Sequence, residues 1–275
     1  MTTLAPLVLL AALVALYAVG SLRLHRRASR RTRARRALQG AVFLAGALAL
    51  AVALSPPVDD VADRSVAAHM AQHLVLLVIV PPLLVWSAPL PTLVTALPRS
   101  LRPVAGRAAT WLTGRWIGLA VVIAATELHV GLMIAWHAPP LYAAAQATEL
   151  THAFEHVTFL ASGLLFWSCI TRLARRGASG CAIALGATVA ASVQSGLLGI
   201  LMTLSSMPWY HVSGPAPFGL TPLADQQAAG AEMWVVAGGV YVVAAAVLAA
   251  GIVRAPAGQA PELVATDRHE ARSSA

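Results

Sequence analysis

Four histidines stand in two pairs, His69/His73 and His152/His156, each spaced four residues apart within an apolar run. Side chains at i and i+4 share one helix face, so each pair aims two imidazoles in one direction. Neutral imidazole is the commonest protein ligand for metal ions, and it is costly to strand in lipid. His137 closes a third apolar run, on a stripe of His129, Met133, Trp136 and His137 at i, i+4, i+7 and i+8. The predicted metal set is therefore His69, His73, His137, His152 and His156. Met70, Met133, Met202, Met233, Asp225, Glu232, His129 and His211 are supplementary candidates. Thioether is a soft donor that helps to select copper(I), whereas imidazole suits copper, zinc and iron alike, so the mixture points to copper more than zinc. Two plainer readings stay open. Membrane histidines also hydrogen-bond across helices without a metal, and methionines also fill irregular gaps.

The elements that position these residues are legible from composition. The 275 residues are 58% hydrophobic and 11% charged, against about 25% charged in soluble domains, and the mean hydropathy is +0.73. Apolar runs of roughly 20 residues recur, each long enough for a hydrocarbon core of about 30 Å. The chain reads as an all-α integral membrane protein, a bundle of seven transmembrane helices. The spans are expected at about 5–22, 38–55, 66–86, 116–136, 149–171, 180–204 and 226–253, within one polytopic domain over 1–253. Residues 254–275, polar and rich in small side chains, are expected to form a disordered cytoplasmic tail. The stretch 87–115 reads as an interfacial helix and connecting loop, and Pro81–Pro82 should kink or end the third span.

The nineteen cations are all arginine, and the net charge is +8. They lie in short loops between spans, which favours contact with lipid headgroups over nucleic acid. All but Arg64 fall on alternate loops, eight of them between Arg23 and Arg36. The positive-inside rule then sets the N-terminus outside and the C-terminus in the cytoplasm. No cation precedes the first apolar run, so it is expected to be a retained span and not a cleaved signal. Cys169 and Cys181 lack a CxxC spacing and suggest no disulfide framework.

On that topology His69, His73, His129, His137, His152, His156 and His211 share the outer layer, together with Met70, Met133, Met202, Met207 and Met233. Glu149, His152 and His156 form an inward stripe with Glu155 adjoining it, and Asp225, Ala229 and Glu232 form another. These carboxylates are candidates for orienting rings or relaying protons. Glu127 lies away from His129 on the same helix and requires a partner or a protonated state. Gly114 and Gly118 are spaced for close helix packing.

Four ordered motifs carry a resemblance. They are His69-Met70-Ala71-Gln72-His73-Leu74 running into Pro81-Pro82, and His137-Ala138-Pro139-Pro140-Leu141-Tyr142. The others are His152-Ala153-Phe154-Glu155-His156 with Gly163-Leu164-Leu165-Phe166-Trp167, and Asp225-Gln226-Gln227-Ala228-Ala229-Gly230 with Met233-Trp234. Over roughly 40–253 the chain resembles the multi-spanning cytochrome c oxidase assembly factors called CtaG, which are distinct from the single-span copper chaperone of the same name. The resemblance implies a polytopic protein of the bacterial inner membrane that serves maturation of haem-copper oxidase, with copper delivery to an oxidase subunit as its role and no enzymatic activity. Carried over are His69, His73, His137, His152 and His156, whereas His129 and His211 lie outside the motifs.

Two rival classes stay in view. A copper transporter needs polar residues continuing to the cytoplasmic side, where Gln194, Ser195, Ser168 and Cys169 are few, and uptake into sealed vesicles would reveal it. A haem-binding electron carrier would use facing histidines as axial ligands and show a Soret band. The oligomeric state is not fixed by sequence.

Overall fold

Backbone groups in lipid have no water to bond, so each apolar run closes its own hydrogen bonds as a helix. The computed structural model describes residues 4–26, 29–112, 117–211, 217 and 219–255, and among these it is helical with no strand. Seven helical stretches are long and apolar enough to cross a membrane: Ala5–His25, Arg30–Ala53, Val66–Trp86, Leu119–His137, Glu149–Ala174, Ala178–Leu204 and Pro222–Val253. The expected tail from 256 onward, Gly114 and the start of the fourth span fall outside the described residues.

In chain order, α1 is Leu4–His25 and α2 is Arg30–Ala53. The second begins eight residues before the expected position at 38. Arginine is a good helix former, and Ser29 caps the first turn by accepting from the Thr32 amide, so the helix runs through the arginine cluster. A short α3, Pro56–Ala62, leads to the third span, made of α4, Val66–Leu74, and α5, Val80–Trp86. The region expected to hold one interfacial helix holds two, α6 at Pro89–Ala96 and α7 at Arg102–Leu112. Next come α8, Leu119–His137, α9, Pro139–Ala147, α10, Glu149–Ala174, and α11, Ala178–Leu204. The seventh span is α12, Pro222–Glu232, with α13, Gly238–Val253.

Two spans are interrupted by single π-helical turns, Val75–Ile79 between α4 and α5 and Met233–Ala237 between α12 and α13. The first precedes Pro81–Pro82, and the helix does not end there but continues through one widened turn. Pro81 cannot donate to Leu77 four residues back. The freed Leu77 carbonyl instead accepts from the Trp167 indole of α10 at 3.3 Å. Gly163 makes this approach possible, because a Cβ there would stand 2.7 Å from the Pro81 ring and 3.0 Å from the Leu77 oxygen.

A second close crossing joins α11 and α12. A Cβ on Gly230 would meet the Gly199 carbonyl at 2.5 Å, and one on Gly199 would meet the Gly230 carbonyl at 2.8 Å. Small residues thus let the two backbones touch. With α4 packed on α12, and α10 on α8, α5 and α11, the ends carrying the histidines converge. At the opposite end Arg23 donates to the carbonyls of Thr95 and Ala96, and Arg176 to that of Ile117.

Candidate metal centre

Helix termini place the site. Ser65 caps α4 by accepting from the Ala68 amide at 3.2 Å, and Thr148 caps α10 by accepting from Thr151 at 3.1 Å. Each helix then presents a histidine pair within its first two turns. Asp225, in the first turn of α12, accepts from the Val66 amide at 2.6 Å, the Ala67 amide at 3.3 Å and the Ser65 hydroxyl at 2.7 Å. Asp225 therefore anchors the start of α4 and touches no histidine ring through these bonds, so its supporting role is that of a helix cap.

The two pairs meet. Within each pair the ring centroids lie 4.1 Å (His69/His73) and 4.2 Å (His152/His156) apart. Across the helices His69 stacks on His152 at 5.2 Å and His73 meets His156 edge-on at 5.5 Å. Glu155 enters the same space, 3.6 Å from His73 and 3.9 Å from His69, each measured to Nε2. Ligand atoms of His69, His73, His152 and Glu155 all lie within 4.8 Å of one another. His69, His73 and Glu155 are buried at 2% exposure or less.

Both nitrogens of His69 and His73, Nε2 of His152 and His156, and a Glu155 oxygen are buried without a hydrogen-bond partner among the described residues. Each such group costs on the order of 1–3 kcal/mol if nothing binds it. One cation held by three imidazoles and a carboxylate would take one atom from each of His69, His73, His152 and Glu155. The rings are packed too tightly for a macrocycle between them. His137 flanks the cluster, 6.2 Å from His73 between centroids. Its Nδ1–H donates to the Met133 carbonyl at 2.6 Å, which leaves Nε2 as a buried lone pair.

The surroundings hold the rings in place. Gln72 donates from Nε2 to the Ala53 carbonyl and to Asp59, both at 2.6 Å, and so ties α4 to α2 and α3. Burial pushes the Asp59 carboxyl up from its ordinary value, and the Gln72 bond partly offsets this. Trp136 donates to the Thr158 hydroxyl at 3.0 Å, which pins α8 against α10 beside Glu155. Tyr142 lies 5.2 Å from His69 and 4.3 Å from Tyr210, and the Tyr210 hydroxyl donates to the His137 carbonyl at 2.7 Å. Burial raises both phenols, so both stay protonated. Together they roof the cluster.

Three other expected members, His129, Met133 and Met233, gather elsewhere. His129 pairs with the Tyr241 hydroxyl at 3.0 Å and stacks on Phe166 at 4.9 Å. It lines, with Met133 and Met233, a separate cavity of about 10 Å³. Met70 and Met202 are buried, whereas Met207 is 65% exposed. Glu232 is half-buried, while Glu149 and His211 are exposed. Glu155 is the member that the sequence undervalued. It stands three residues after His152, on the same face, and that spacing was the available signal.

A family model described as cytochrome c oxidase caa3 assembly factor matches residues 15–255. No curated protein and no solved structure matches the chain.

Proposed function

This chain belongs to the cytochrome c oxidase caa3 assembly factor family, and from that premise we propose that it carries copper on the His69/His73/His152/Glu155 cluster and passes it to the oxidase. One observation supports the reading most: four ligand atoms within 4.8 Å, on two facing helices, most of them without another partner. Three imidazoles and a carboxylate suit copper, zinc or iron by donor chemistry alone. The choice of copper rests on the haem-copper oxidase that the family serves. His137 and His156 flank the set as further ligands, with Nε2 free in each.

The thioethers contribute less than their number suggests. Met133 and Met233 line the His129 cavity, whereas the four gathered ligand atoms are nitrogen and oxygen. The arginine distribution supports an extracytoplasmic position for the cluster in a bacterial plasma membrane. The role is binding and transfer without covalent chemistry. The decisive cellular test replaces His69 and His73 by alanine and follows copper incorporation into the oxidase. The reading expects loss of incorporation, with partial rescue by added copper salt. Normal incorporation by a variant that holds no metal would end it.

A further inference from the structure

Glu127 sits near the middle of the α8 span and faces outward, away from the histidine cluster. Among the described residues its polar neighbour is Gln194 of α11, whose Nε2 donates to Oε1 at 3.4 Å. A single long amide bond leaves most of the carboxyl's hydrogen-bonding capacity unused. Hydrocarbon supplies no substitute, and ionisable groups inside spans mark functional contacts.

The carboxyl opens onto a groove of about 320 Å³ between α8 and α11. Ile123 and Ile183 form part of its lining, with Gly186, Ala187 and Ala190 on the α11 side. Gly186 and Ala190 are four residues apart, the spacing that lets a second helix approach closely. A Cβ placed on Gly186 meets nothing within 4 Å, so this wall is open.

We propose that this groove receives a membrane-spanning helix of the oxidase, one that carries a hydrogen-bond donor at the depth of Glu127. The partner's identity rests on the family reading, whereas the donor requirement rests on Glu127. A lipid acyl chain has the shape but no donor. A second copy of this chain, meeting the groove isologously, would set Glu127 against Glu127, two like groups that pair only by sharing a proton. Neither alternative brings a new donor to an ionised carboxylate.

The test uses full-length protein in native membranes, with a photo-crosslinking residue at Ile123 or Ile183 and, as control, at exposed Leu48 of α2. Adducts to a membrane-spanning oxidase segment are expected from the groove positions and not from Leu48. Glu127→Leu should lower their yield roughly three- to fifteen-fold, the span of an interhelical hydrogen bond in a bilayer. Gly186→Leu, whose Cβ meets nothing within 4 Å, should do the same. Copper bound per chain should stay at the wild-type value in both variants, which separates this contact from the metal reading. Adducts only to lipid or to another copy of the chain would overturn the proposal, and so would a yield indifferent to both substitutions.

Discussion

The carboxylate of Asp225 accepts the amide hydrogen of Val66 at 2.6 Å, so the last span caps the third. Buried amides at a helix start need such an acceptor. Asp225→Ala should cost about 1–3 kcal/mol, a lost cap plus a stranded donor. Asp225→Asn, which keeps one acceptor oxygen, should cost less. Thermal unfolding in detergent measures both, and an unchanged midpoint for the alanine variant would refute the capping role.

Glu155 brings a carboxylate to His69 and His73. Glu155→Gln preserves shape and removes the charge. Metal affinity should fall by at least roughly 10- to 100-fold, the range for losing a carboxylate that merely orients a ligand. Competition against a chromophoric chelator reads this directly, and wild-type affinity would exclude Glu155 from the site.

Gly163 faces Pro81 across a gap that no Cβ fits. Gly163→Ala should therefore push α10 from α5 and cost about 1–3 kcal/mol by overpacking. Trp167→Phe removes the donor to the Leu77 carbonyl, with an expected loss of about 1–3 kcal/mol for the stranded acceptor. If both variants unfold like the parent, this crossing is not what holds the third span in place.

His129 answers to Tyr241 and not to the histidine pairs. His129→Phe and Tyr241→Phe should each lower stability and leave bound metal per chain unchanged. The same holds for Met133→Leu with Met233→Leu. Metal analysis of the purified variants decides, and a drop in content would extend the site one cavity deeper.

The bundle is legible in the sequence because hydrocarbon permits so few backbone solutions: seven apolar runs correspond to seven spanning stretches among the described residues. Details that depend on partners distant in the chain are not. At the π-helical turn before Pro81 the Leu77 carbonyl is taken by Trp167, ninety residues away. Helical spacing showed that His69 shares a face with His73, and His152 with His156, but not that the two faces would meet. Spacing also set Asp225 and Glu232 on one stripe, yet the first caps α4 and the second is half-buried. The methionines illustrate the limit further. A shared depth is visible in sequence, whereas a shared cavity is not, and Met133 and Met233 line the His129 cavity and not the cluster.

The two histidine pairs are proposed to hold one ion between them. Purified wild-type protein loaded with copper should retain it through desalting, and the His152→Ala/His156→Ala variant, folded by the same unfolding measurement, should retain almost none. Equal copper in the two proteins would contradict it.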